Sequence, residues 1–425
     1  MTDTEVAMST LSEKQQQSGM RVCMLAYAFY ESDTRILQYA TALASRGDKV
    51  DVIALRRGPD AAEFEVVDGV NVYRIQSREV NEKGLFTYAS RIFVFLLRSM
   101  LFLRRRHRKR SYDLIHVHNV PDFLIFAALF PKWSGVPLIL DIHDLLPEFY
   151  ASKFRVTHKS LMFKCLAFAE RCSVAFATRV IIANHLWRDR LVGRSCPPQK
   201  CSVVRNHPDL GIFVAQSRQE RKLNQKLLLT YPGSLNLHQG LDVAIHAFSR
   251  VADQMPEAEF HIYGEGPAKP SLIQLTADLR MQSRVIFHDF LPSHEIARVM
   301  ASTDIAIEPK RATSAFGNEA LSTKILEFMV LGVPIIASKT KIHAYYYDDS
   351  IIKYYENDDE EQLAEAIALL RNNPKLRFEL AARASEYARR SSWQSRKQEY
   401  LQLVDALVKA DPTNHAPKQV AVVEQ

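Results

Sequence analysis

Two carboxylates eight positions apart bracket a stretch that can seat a phosphate. Glu319 and Glu327 flank Leu321-Ser322-Thr323-Lys324, and the chain continues Phe328-Met329-Val330-Leu331-Gly332-Val333-Pro334. Ser322 or Thr323 can open a helix, because a side-chain oxygen there accepts from the first free backbone amides. Gly332 suits its end, since glycine tolerates the left-handed backbone that closes a helix, and Pro334 forbids continuation. Ile325, Leu326, Phe328, Met329, Val330 and Leu331 make the helix between them apolar on most faces, hence buried. A lone carboxylate inside it would cost several kcal/mol, so Glu327 needs a polar partner. Glu319 is expected in the loop before the first turn. A helix start concentrates free amides and positive dipole, a natural seat for phosphate. A phosphate flanked by acids that can hold hydroxyls describes a nucleotide sugar. The same spacing also suits a buried helix whose Glu327 pairs with an internal cation.

A second group of polar residues follows two apolar runs. One run ends in His116-Val117-His118-Asn119-Val120-Pro121-Asp122, the other in Asp141-Ile142-His143-Asp144-Leu145-Leu146-Pro147-Glu148. Both put imidazoles and acids just past a strand, at the sheet edge where open α/β folds bind ligands.

Glu319, Glu327 and the Phe-Met-x-x-Gly-x-Pro that follows resemble the Glu-x7-Glu signature of GT-B retaining glycosyltransferases of the family 4 type, the glycosyl transferases group 1. The resemblance covers about residues 20–405. It implies that Glu319 contacts the donor sugar, that Glu327 binds the ribose, and that the backbone around Leu321, Ser322 and Thr323 holds the diphosphate. It further implies that His143 contacts the donor sugar, with His118, Asn119, Asp144 and Glu148 on the acceptor side. His118 and His143 could exchange roles. The family it resembles usually has an Arg after the first Gly, and a Lys before the last Gly, of the turn that runs here from Gly233 to Gly240. This chain has Ser234 and Gln239 instead. Lys310, Arg311 and Lys324 are the cations left to neutralise the leaving diphosphate, and Lys324 ranks first because it starts the binding helix. Gly264, in Gly264-Glu265-Gly266-Pro267, and the segment holding Phe287 and His288 match the places that meet the donor and cup its base.

These residues need two scaffolds. Strands are expected at 21–26, 49–55, 70–75, 112–117, 137–142, 179–183 and 201–204, with a helix over 34–46 whose apolar face carries Ile36, Leu37, Ala40, Leu43 and Ala44. Asp33 reads as that helix's cap, and one long helix is expected over 156–177. A second series follows, with strands at 227–231, 259–263, 285–291, 304–308 and 335–338 and a helix at 241–255. The β-α alternation in both halves predicts an α/β chain of GT-B type, with two Rossmann-like doubly wound domains facing a central cleft. The expected boundaries are 20–215 for the acceptor-side domain and 226–390 for the nucleotide-sugar domain. Residues 391–409 are expected to form a helix crossing back to the first domain, and 1–19 and 410–425 to be loose tails.

Composition fits an ordinary globular chain, with 47% hydrophobic and 24% charged residues. The five cysteines lack CxxC or zinc spacing and read as reduced thiols of a cytoplasmic protein. Residues 1–19 lack the apolar core of a signal peptide. No metal or cofactor is expected beyond the donor substrate. A formal charge of +7 asks for an acidic partner. Residues 91–103 are apolar and are followed by Arg104-Arg105-Arg106-His107-Arg108-Lys109-Arg110, which suits a peripheral contact of residues 91–110 with the inner face of the cell membrane. The same run also suits a core helix with a solvated basic end. A nucleic-acid partner is disfavoured, because no recognition module accompanies the basic run. The expected activity is transfer of a sugar to an acceptor hydroxyl, the acceptor being a saccharide or lipid-linked saccharide. The rival readings are a non-catalytic nucleotide-sugar-binding partner and a 2-epimerase of the same architecture.

Overall fold

The computed structural model describes residues 19–58, 60–78, 85–154, 156–215, 226–313 and 315–409. The expected tails at 1–18 and 410–425, and most of the charged linker, lie outside them. Eight strands build the first sheet: β1 (Arg21–Ala26), β2 (Lys49–Arg57), β3 (Phe64–Val67), β4 (Val70–Arg78), β5 (Leu114–His118), β6 (Leu138–Ile142), β7 (Arg179–Ile182) and β8 (Cys201–Val203). Their order is β3-β4-β2-β1-β5-β6-β7-β8, parallel except for β3 against β4. The second sheet has β9 (Leu227–Pro232), β10 (Ala258–Tyr263), β11 (Val285–His288), β12 (Ile305–Glu308), β13 (Ile335–Ser338) and β14 (Lys353–Tyr355), in the order β11-β10-β9-β12-β13-β14. The central strands are continuous apolar runs, as strands covered on both faces must be.

One face of the first sheet packs Ile92, Phe95, Leu103, Leu124 and Val174. The other packs Ile36, Tyr39, Ala40 and Leu43 of helix Thr34–Ser45. Trp393, Tyr400, Leu401 and Val404 of the last helix, Trp393–Lys409, join that second face, so the chain's end returns to the first sheet. Asp33 caps helix Thr34–Ser45, its Oδ1 accepting from the Ile36 amide at 3.1 Å.

Several local expectations need correcting. The helix expected over 156–177 is shorter, Leu161–Phe176, and a separate helix, Leu146–Phe154, precedes it. Ser160 starts the later one, its hydroxyl accepting from the Phe163 amide at 3.2 Å. The apolar segment at 91–103 belongs to a longer helix, Leu85–Lys109, that continues through the basic run. Arg and Lys are good helix formers, and cations suit a helix C-terminus. Helices Lys269–Asp278, Ser293–Ser302 and Lys341–Tyr346, and the edge strands β3 and β14, were not foreseen.

Candidate active site

Helix Thr323–Val330 ends as its residues dictate. Gly332 takes φ +68, its amide donates to Met329 O at 3.1 Å, and the Val333 amide donates to Phe328 O at 2.9 Å. This is a Schellman closure. At the other end Ser322 occupies the cap position without a side-chain capping bond. Glu319 is not in a loop but closes a separate short helix, Ala315–Glu319. That helix leans on the first domain, where Phe316 meets Phe149 at 5.2 Å and Trp187 at 5.8 Å between ring centroids.

The turn after β9 lies against this helix start. Gly233 has φ +145, and a Cβ there would stand 3.2 Å from Lys324 Nζ. Gly264, with φ +135, is pressed onto the same turn, since a Cβ would fall 1.9 Å from Gly233 O. Gly240, with φ +67, would put a Cβ 2.0 Å from Pro309 O. Glycine is needed at these three places for both conformation and room. Ser234 Oγ lies 3.5 Å from Gln239 Nε2, and both side chains are neutral, so neither brings a charge to the turn.

Positive charge comes from elsewhere. Lys324 Nζ donates to Tyr231 Oη at 3.3 Å and pairs with Glu308 Oε2, also at 3.3 Å. Burial alone would lower the Lys324 pKa, but Glu308 and Tyr231 raise it above the ordinary lysine value. Lys310, only 4% exposed, donates to Ala320 O in the turn between the two acids. Burial pushes its pKa down to about 8, against the pull of Glu308. Arg311, expected among the donor-binding cations, is already committed. It pairs with Asp242 at 2.7 Å and Asp358 at 2.8 Å.

The two acids of the signature differ. Glu319 is gripped in two places by Arg190 of helix His185–Arg194, with Nε to Oε2 at 2.9 Å and a second nitrogen to Oε1 at 2.7 Å. Asn184 Nδ2 also donates to Glu319 O at 3.1 Å. Glu327 carries no such clamp. Burial pushes its carboxyl up to about 7, although Lys324 and the Thr323 hydroxyl pull the other way.

The opposite wall is built on Asp141, fully buried at the end of β6. Arg35 donates to both its oxygens, at 2.7 and 2.6 Å. His118 Nδ1 and His143 Nε2 each lie 3.0 Å from Asp141 Oδ2. Burial would raise this carboxyl, but Arg35 and His143 hold it well below the usual range. Burial would likewise lower His143, and Asp141 outweighs it, so the imidazole stands above its ordinary pKa. His118 is 1% exposed and is lowered by burial, whereas the His143 side chain keeps 18% exposure. Of the two histidines, His118 is enclosed in the network and His143 is the more exposed. The His116, His118 and Asp141 ligand-type atoms lie within 4.8 Å of one another. The Arg35 guanidinium already supplies the cation there.

Asn119 ties the wall together. Its Oδ1 accepts from the His143 amide at 2.8 Å, and its Nδ2 donates to Asp144 O at 2.9 Å. Burial raises the Asp144 carboxyl, with His143 and Lys310 opposing, so this acid lies electrostatically between the two domains. Glu148 does not face the cleft as expected. It is 2% exposed and held by Arg194 at 2.6 and 3.2 Å. At the far end of the second domain His288 stacks on Tyr263 at 4.1 Å and 7°, while Phe287 packs against the core. Arg35, Asp141 and Arg190 are not among the site residues expected from the sequence, whereas Lys310 is one of its three candidate cations. A signal existed for Asp141, an acid inside an otherwise apolar strand, which must be paired.

The two halves match separate family descriptions. Residues 214–391 match "Glycosyl transferases group 1", and residues 31–207 match "Glycosyl transferase 4-like domain". The chain belongs to the group 1 glycosyltransferases. Among this glycosyltransferase's relatives is alpha-D-kanosaminyltransferase of Streptomyces kanamyceticus, 24% identical over 301 residues, which are 67% of this chain and 75% of the relative. The fold is that of sucrose-phosphate synthase from Thermosynechococcus elongatus, with TM-score 0.73 at 16% identity over 92% of this chain and all of the other. It is also that of Anabaena HepE in complex with UDP and glucose, with TM-score 0.67 at 16% identity over 91% of this chain and 100% of HepE. The GT-B architecture expected from the sequence is therefore present: two Rossmann-like domains.

Proposed function

We propose that this glycosyltransferase moves a sugar from a nucleoside diphosphate sugar to an acceptor hydroxyl with retention at the anomeric carbon, in cell-surface polysaccharide or glycolipid assembly. The observation that carries the reading is Lys324, whose ammonium stands beside Gly233 in the turn that lacks the family's usual cations. The diphosphate would rest on the amides of Leu321 and Ser322, with Lys324 and Lys310 countering the charge that grows as the sugar leaves. Glu327 would hold the ribose, Glu319 the sugar hydroxyls, and His143 the sugar from the other wall. The departing phosphate would take the acceptor's proton, so neither a metal nor a dedicated base is required. HepE, which shares the fold, binds UDP and glucose, and this supports a nucleotide sugar as donor.

A panel of UDP-, GDP- and ADP-sugars tests this by thermal shift. Ligand at about 100 times its Kd stabilises a protein by about 2.7 kcal/mol, an easily read rise in Tm. At least one sugar nucleotide is expected to give the rise, and Glu327→Ala to abolish it. No rise with any donor, or an unchanged rise in the variant, contradicts the proposal. The neutral Ser234 and Gln239 favour a second reading, a non-catalytic binder, which predicts the same shift with no product in extracts that supply every acceptor.

A further inference from the structure

The first domain presents an apolar surface in a basic surround, made by two helices that flank residues 122–133. Helix Leu85–Lys109 buries Ile92, Phe95, Ser99 and Leu103 at spacings of three and four. A different face carries Phe93 (56% exposed), Leu97 (42%) and Leu101 (53%). Arg104 and Arg108 continue that second stripe toward the helix end. Helix Leu161–Phe176 repeats the design: Leu161 is 78% and Phe168 67% exposed, with Cys165 between them on the same face and Lys164 and Arg171 beside it. The two helices share one side of the sheet. Arg104 lies over the Phe130 ring at 4.4 Å, Phe126 meets Phe176 at 5.1 Å, and Lys132 lies over Phe176 at 5.6 Å. Trp133, 71% exposed, ends the segment between them.

The charge on this side has one sign. Residues 85–110 hold eight Lys and Arg and no acid, and residues 123–140 hold Lys132 as their only charged side chain. Residues 149–178 hold five Lys and Arg with Glu170 as the sole acid, and Glu170 is buried against Arg194. Apolar patches of this extent on a soluble surface mark an interaction site. Exposed aliphatic and aromatic side chains ringed by cations fit the boundary between the headgroups and acyl chains of an anionic bilayer. No helix among the described residues is long and apolar enough to cross a membrane, which leaves docking on the surface.

We infer that helices Leu85–Lys109 and Leu161–Phe176 together form a platform that seats the first domain on an anionic lipid surface, beside the acceptor wall of the cleft. Each helix carries the chain back from the carboxyl edge of the parallel sheet. The first turns of each therefore lie near the His143 edge, and the basic end of Leu85–Lys109 lies away from it. Resting on the reading above, this arrangement brings the acceptor side to the bilayer and selects a lipid-linked saccharide as acceptor class.

The test is co-sedimentation of the full chain with vesicles of phosphatidylcholine alone, or of equal parts phosphatidylcholine and phosphatidylglycerol. Binding is expected to the anionic vesicles, at least tenfold stronger than to the neutral ones, and to weaken with salt. The paired change Leu97→Glu/Leu101→Glu and the single change Phe168→Glu should each lower binding about tenfold or more, with unchanged melting and an unchanged nucleotide-induced shift. Equal binding to both vesicle types overturns the inference. So does loss with the first variant but not with Phe168→Glu, because the platform needs both helices. Stronger retention on RNA than on anionic vesicles, unaffected by the apolar variants, also overturns it. Failure here with the nucleotide shift intact removes the platform alone, whereas lost nucleotide binding with vesicle binding intact removes the enzyme reading alone.

Discussion

Asp141 and Glu327 are both acids in low-polarity surroundings at the cleft, one in each domain, and they are treated in opposite ways. Asp141 receives Arg35 on both oxygens and two imidazoles on one of them. Its charge is fixed and its acceptor capacity is filled by the chain itself. Glu327 has the adjacent Thr323 hydroxyl and a share of Lys324, and burial holds its carboxyl near 7. The difference separates a carboxylate that builds a wall from one with capacity left for hydroxyl groups from outside.

Asp141→Ala leaves Arg35 buried without its partner, which costs about 3–5 kcal/mol. Urea denaturation should show the loss, and a change below about 1 kcal/mol would mean that the network is not a scaffold. Next in size is Gly264→Ala, whose Cβ would collide with Gly233 O while taking a backbone conformation unfavourable to alanine. The expected cost is about 1–3 kcal/mol of stability, together with loss of the nucleotide thermal shift. A parent-like shift there would detach the glycine turn from the ligand.

Glu327→Gln sharpens the contrast through pH. The folded carboxyl titrates at about 7, above its ordinary 4.5, so the folded state holds the proton more tightly than the unfolded chain. The stabilising contribution is present below pH 4.5 and is lost as pH rises through 7. The Gln variant should therefore show a flatter fall of Tm with pH across that window, and an identical slope would place the Glu327 titration elsewhere. The smallest expected effect belongs to Lys310, whose charge fades above about 8. Nucleoside diphosphate affinity should weaken severalfold between pH 7 and 9 in the parent and less in Lys310→Arg, as titration calorimetry can read.

Much of this contrast was legible along the chain, because its local part is local chemistry. Gly332 and Pro334 mark the end of helix Thr323–Val330, and apolar runs separated by helical spacing mark both sheets. Glu327 is identifiable as an acid in an apolar helix. What could not be read was pairing across distance. Arg35 meets Asp141 across 106 positions and Arg190 meets Glu319 across 129. Nothing in spacing announces such contacts, which arise only when strands and helices are brought edge to edge. Glu148 and Arg311 went astray for the same reason, their partners being set by packing. The helix expected from residue 156 starts only at Leu161, where the Ser160 hydroxyl caps it.

On the proposed reading, the turn between Glu319 and Glu327 grips a nucleoside diphosphate, with Glu327 meeting its hydroxyls as a carboxylate. Isothermal titration of UDP, GDP and ADP at pH 7, in two buffers of different ionisation enthalpy, tests it directly. One nucleotide should bind with release of about half a proton in the parent, and more weakly with no release in Glu327→Gln. Binding to the Gln variant with parental affinity and the same proton release, or no binding of any of the three to the parent, contradicts the claim.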